Sequence, residues 1–152
     1  MLRRRARVKI YTIGFTKKSA EEFFGAIRRA GVKRIVDVRL NNVSQLAGFA
    51  KRDDLRFLLS AVADIDYMHM LELAPEKEVL KDYQNGRISW SKYEKAYVSL
   101  LSERNVAEGG ILEIREGDCL LCSEETPENC HRRLASEFLA QHQSGIEIVH
   151  IL

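Results

Sequence analysis

The sequence predicts a single α/β domain: a mostly parallel sheet of about five strands with helices on both faces, a flavodoxin- or Rossmann-like three-layer arrangement. Three observations predict it. Short β-branched runs alternate with helical stretches along the chain. The first alternation is strand, helix, strand within about 30 residues, a unit whose two strands must run parallel. With 152 residues, 45% of them hydrophobic, the chain can bury one continuous core without staples.

The first strand is Val8–Ile13, β-branched and aromatic, ending at Gly14. Ser19-Ala20-Glu21-Glu22 has capping-box spacing and opens a helix with Phe23, Phe24, Ile27 and Ala30 as its buried stripe, and Gly31 stops it. Arg34–Val38 is the second strand. A loop from Arg39 to about Lys51 leads to a helix with Leu55, Leu58, Leu59 and Val62 on one face. Ile65–Met70 reads as a short third strand. Pro75 starts the next helix, which carries Val79, Leu80 and Tyr83 and stops at Asn85-Gly86. Another runs from about Ser89 to Arg104, with Trp90, Tyr93, Tyr97, Leu100 and Leu101 at helical spacing; these aromatics read as core rather than as a cofactor box. Ile111–Arg115 suits either a short strand or a helical turn. Cys119–Cys122 is a buried strand. Thr126-Pro127 begins the last helix by cap and first-turn proline, with Leu134, Ala135, Phe138 and Leu139 inward, and Ile146–Ile151 closes the sheet. There is no repeat, linker or low-complexity segment. Residues 1–7 form a basic N-terminal tail and residues 8–152 the domain.

Several function classes are excluded by composition. The arginines at the N-terminus have no apolar run of signal-peptide length behind them, and no stretch approaches the roughly 20 apolar residues of a membrane span. Three cysteines without an export signal imply reduced thiols and a cytoplasmic protein with no membrane partner. A net charge of +2 is too mild to imply nucleic acid by itself, and the runs Arg3-Arg4-Arg5, Arg28-Arg29, Lys33-Arg34 and Arg132-Arg133 read as a solvated face. Phosphate-loop, dinucleotide, nucleophile-elbow and metalloprotease motifs are all missing.

Ligands of an open parallel sheet gather at the carboxyl ends of its strands. The strands lead in turn into Gly14-Phe15-Thr16, Arg39, His69 and Ser123-Glu124, and beyond the last of these the chain enters Cys130-His131-Arg132. Reactive side chains are concentrated on that rim. Cys130 falls near a helix start, where unpaired N–H groups favour a thiolate and where a phosphate or carboxylate could sit with an arginine fork. Glu124 or His131 can serve as general base. Asp37 and Arg39 share a face, so Arg39 either binds an anion or closes an ion pair with Glu124. Four zinc donors are present in the letters, but Cys119 and Cys122 point to opposite faces of a strand and cannot both reach one ion, so Cys119 reads as a small buried hydrophobe. His142 reads as solvent-facing and His150 as unmarked.

At these residues the sequence resembles domain-of-unknown-function family 488. The resemblance rests on Tyr11-Thr12-Ile13-Gly14-Phe15-Thr16, Asp37-Val38-Arg39, Gly48-Phe49, Tyr67-Met68-His69 and Val149-His150-Ile151. Its most specific part is Leu120-Leu121-Cys122-Ser123-Glu124 followed by Pro127-Glu128-Asn129-Cys130-His131-Arg132. It spans about Ile10 to Leu152 and implies a compact α/β domain of small cytosolic prokaryotic proteins, with no established reaction. For that family metal binding or catalysis has been suggested, which maps to Cys122, Cys130 and His131. The chain departs from the pattern at Asn42-Val43, where proline and arginine are usual, and at Ala74-Pro75, where two glycines are.

The expected function is a small enzyme acting on an anionic ligand, a nucleotide or nucleic-acid fragment. Cys122 or Cys130 is its nucleophile or redox thiol, Glu124 and His131 its acid/base groups, and Arg39 and Arg132 its anion clamp, with Gly14, Thr16 and His69 beside the ligand. No cofactor is required. The alternatives are a non-catalytic nucleotide or nucleic-acid binding module, and a protein holding zinc on Cys122, Cys130 and His131. Oligomeric state is not encoded in any motif.

Overall fold

Strand and helix alternate throughout the computed structural model, which describes residues 7–43, 48–106 and 114–152. Strand β1 is Val8–Gly14 and helix α1 is Ala20–Ala30. Both halves of the capping box are present: the Ser19 hydroxyl accepts from the Glu22 N–H at 3.1 Å, and the Glu22 carboxylate accepts from the Ser19 N–H at 2.9 Å. Gly31 ends the helix in the left-handed region, at φ 80°, which a side chain would resist. Strand β2 is Arg34–Asp37, helix α2 is Arg52–Leu58, and strand β3 is Asp66–His69. Helices α3 (Lys77–Gln84) and α4 (Trp90–Glu103, capped by Ser89) come next, then strand β4 (Asp118–Cys122), helix α5 (His131–His142) and strand β5 (Ile146–His150).

All five strands are parallel, in the order β3-β2-β4-β1-β5. The chain steps one way from β1 to β3 and the other way from β3 to β5. Right-handed crossovers therefore put α1 and α2 on one face and α3, α4 and α5 on the other. Two packed clusters match. Phe23, Ile27, Leu55, Leu59, Cys119 and Leu121 fill one layer; Tyr93, Tyr97, Leu101, Leu120, Cys122, Leu134 and Phe138 fill the other. Strand β4 is central and buried along its whole length, and its alternation sends Cys119 and Cys122 into opposite layers. No helix among the described residues is long and apolar enough to cross a membrane.

Local expectations fail at three places. Helix α5 starts at His131, not Thr126: the Thr126 hydroxyl is taken by the Glu128 carboxylate at 2.9 Å, and Pro127–Cys130 closes as a turn, so the proline bends a loop instead of opening a helix. Helix α3 starts at Lys77, because Ala74 and Glu76 on either side of Pro75 are extended, as the residue before a proline prefers. Val62 is 49% exposed, because α2 runs on into a π-helical turn, Leu59–Ala63, that shifts it off the buried stripe. Of Ile111–Arg115, the first three residues lie outside the described ones, and Ile114 and Arg115 belong to no strand or helix. The run Arg3–Arg5 also lies outside them.

Candidate functional site

Neighbouring strands β2 and β4 lead their chains to opposite faces, since β2 feeds the α2 layer and β4 the α5 layer. A crevice opens where two such strands part, at their carboxyl ends. The Val38 N–H donates to the Leu121 carbonyl at 3.1 Å, so Val38 and Cys122 stand side by side at its edge.

Three side chains converge there. Cys122 ends β4, Cys130 occupies the N-cap position of α5 without a side-chain cap bond, and His131 is the first helical residue. One ligand atom of each lies within 4.8 Å of the others, and all three residues are buried. His131 Nε2 is 2.8 Å from the Val38 carbonyl. A carbonyl can only accept, so Nε2 carries a ring proton, and of the two neutral tautomers only the one with Nδ1 as lone pair fits. Cys122 Sγ lies 3.6 Å from Nδ1 and 3.7 Å from Nε2, against the ring as a whole. The Tyr97 ring meets the imidazole edge-on at 5.6 Å and fixes its other side.

The sulfurs are not equivalent. Hydrogen bonding from the Cys130 thiol, helped by the Ser123 N–H and the Arg132 charge, outweighs burial and lowers the Cys122 pKa from the ordinary thiol value. Burial, and the same bond to Cys122, raise Cys130 well above it. The helix start is expected to favour Cys130 as thiolate, and burial pushes the other way. Cys119, alone in the other layer, is raised by burial.

The three residues form part of the floor of a cavity of about 310 Å³. Arg39, Leu40 and Asn41 line it from the β2 loop, Ser123, Glu124 and Asn129 from the β4 loop, and Leu80, Tyr83, Gln84, Trp90 and Tyr93 from α3 and α4. Arg39, Cys122, Glu124, Cys130 and His131 are therefore brought together, although Glu124 is exposed at the rim.

Arg39 is pinned. Its Nε and Nη2 reach the two Asp37 oxygens, each at 2.8 Å, and Nη2 also reaches the Ala50 carbonyl at 2.8 Å. The ion pair is with Asp37, not Glu124. Burial works against the Asp37 carboxylate, but the Arg39 bonds and charge, with the Tyr67 hydroxyl at 2.6 Å, outweigh it and hold the pKa below the usual range. Asn42 also joins this network, donating to the Tyr67 oxygen at 3.1 Å. Arg39 Nη1 alone is buried without an acceptor.

Four expected ligand contacts lie elsewhere. Arg132 is fully buried beneath the loop, where Nη1 donates to the Glu124 carbonyl at 2.7 Å and Nε and Nη2 have no acceptor; it does not line the cavity. Gly14 makes a close backbone approach, since a Cβ there would sit 1.6 Å from the Glu124 carbonyl oxygen. Thr16 ties the β1 loop to Ser123 by its N–H and borders a different cleft. The His69 ring bonds the Arg39 carbonyl at 2.7 Å and steadies that loop. Conversely, Tyr83 and Trp90 line the cavity, although their helical spacing points to the core. In sequence a half-wetted aromatic stripe and a buried one look alike.

Cys122, Cys130 and His131 are also a set of soft donors able to hold a metal ion such as zinc. The chain matches the family model described as Domain of unknown function DUF488 over residues 19–139 and belongs to that family. The match takes in Arg39, Cys122, Glu124 and Cys130–Arg132. No curated protein and no solved structure matches the chain.

Proposed function

We propose that this DUF488 protein is a small enzyme that applies the Cys122 sulfur to an anionic ligand held in the cavity between β2 and β4. One observation carries the reading: a sulfur on the cavity floor has a second thiol and an imidazole against it, within 4.8 Å. The Cys122 proton passes to His131 Nδ1 while the Cys130 thiol keeps its own and donates to the Cys122 sulfur; the sulfur attacks an electrophilic atom of the ligand, and the leaving group departs with the proton from His131 as its bond to that atom breaks. Arg39 Nη1 and the first turn of α5 favour the negative charge, and Arg132 adds a fixed positive charge behind the loop. Glu124 at the rim can exchange protons with solvent.

Timed iodoacetamide labelling with mass spectrometry tests it. Near neutral pH, Cys122 is modified first and Cys122→Ser removes the fast phase; slow, even labelling of all three cysteines rejects the nucleophile. The second reading is a metal centre, favoured by the His131 Nε2–Val38 bond, since metal-bound histidines commonly donate their other N–H to a carbonyl. Elemental analysis of protein purified without chelator decides between them: one equivalent of zinc would replace the free thiol with a bound ion.

A further inference from the structure

The cavity lining combines two kinds of chemistry. One is Arg39, whose Nη1 is buried without an acceptor, and the start of α5, whose N-cap cysteine makes no side-chain bond to the helix. A 12-residue helix gives that start a positive end. The other is Tyr83 and Trp90, both only half-buried although they belong to the α3–α4 aromatic cluster. The Trp90 indole is stacked on Tyr93 at 5.1 Å and 27°, and Tyr83 meets it at 5.4 Å and 62°. Two rings thus hold a third in one orientation while part of it stays uncovered. The lining also includes Asn41, Ser123, Asn129 and Glu124, which offer amide, hydroxyl and carboxylate partners.

We infer that the ligand is a mononucleotide: a planar heteroaromatic base against Trp90 and Tyr83, with a single phosphate at Arg39 and the start of α5. This rests on the assignment of the same cavity to an anionic ligand. A fixed indole is a stacking platform for any π-face, and an aliphatic acid or bare sugar phosphate would leave it uncovered. The volume of about 310 Å³ is at the small end of ordinary ligand pockets, roughly 300–1,000 Å³, so one nucleotide fits where a strand does not. The Glu124 carboxylate at the rim can accept from a sugar hydroxyl or base N–H and repels further charge, which favours the monophosphate over the triphosphate.

Trp90 is the only tryptophan, so intrinsic fluorescence reports on this wall alone. The whole protein is titrated with adenosine and guanosine 5′-monophosphates, adenosine 5′-triphosphate, ribose 5-phosphate and inorganic phosphate. Saturable quenching is expected with at least one monophosphate, and none with ribose 5-phosphate or phosphate. Calorimetry then measures variants: Trp90→Leu weakens the monophosphate about ten-fold or more, while Trp90→Phe, which keeps a ring, retains most of the affinity. The inference is overturned if neither monophosphate binds at millimolar concentration, if ribose 5-phosphate binds as tightly, if the triphosphate binds more tightly, or if Trp90→Leu binds unchanged. Binding retained by Cys122→Ser supports the inference even where the thiol proves unreactive. A fast-labelling Cys122 without nucleotide binding overturns this inference and leaves the thiol assignment standing.

Discussion

The carboxyl ends of β2 and β4 lie side by side, both buried and both polar, yet they are finished differently. At the β2 end Asp37 and Arg39 face each other in a two-pronged ion pair, with Tyr67, Asn42 and the Ala50 carbonyl completing nearly every bond. At the β4 end two thiols and an imidazole share loose contacts, and the guanidinium behind them, on Arg132, keeps one acceptor and two unbonded nitrogens. Buried polar groups that bond one another fully hold a fold together. Those left incomplete cost stability and mark places where chemistry or a ligand is served. By that criterion β2 supplies the frame and β4 the reactive groups.

The comparison breaks first at the sulfurs. Cys119 should meet reagent only when the protein unfolds, a state populated at roughly one part in a thousand or less, so Cys122 should outpace it about a thousandfold or more in timed alkylation. Comparable rates would make the β4 end as inert as the core. Asp37→Ala leaves Arg39 buried without its counter-charge and is expected to cost about 3–5 kcal/mol in denaturant unfolding. A cost below about 1 kcal/mol would mean that Arg39 is freely hydrated and that β2 is no frame. Tyr67→Phe removes one hydrogen bond to that carboxylate, and a loss of about 1.5 kcal/mol is expected by the same assay.

The smallest effect is on pH dependence. Asp37 has its folded pKa depressed, so the unfolded chain binds the extra proton as pH falls and stability rises with pH. Its contribution is full above the unfolded value, about 4, and fades as pH drops through the lower folded value. Asp37→Asn should flatten this acid limb in unfolding midpoints measured from neutral pH downwards; an unchanged slope would show that other carboxylates produce it.

Much of the frame is legible in the letters. Ser19 and Glu22 announce the start of α1 and Gly31 its end, because caps bond within one turn of chain. The separation of Cys119 from Cys122 follows from strand alternation alone. Thr126-Pro127 misleads, since a capping residue and a proline serve a tight turn as readily as a helix start, and the competing carboxylate of Glu128 settles which. The aromatic stripe of α4 has the right spacing and carries no hint that Trp90 borders a cavity, because wetting depends on what the neighbouring loops cover.

Strand–helix alternation, the parallel sense of the strands and the shared faces of β4 are all written in the local pattern of the chain. All of these follow from the fixed periods of the backbone and the short reach of its crossovers. The order β3-β2-β4-β1-β5, the meeting of Val38 with His131 across 93 positions and the choice of Asp37 as partner of Arg39 come from three-dimensional packing. Strand order carries no local signal. It is selected by how whole layers pack, and a cavity formed where two strands diverge exists only once that order is chosen.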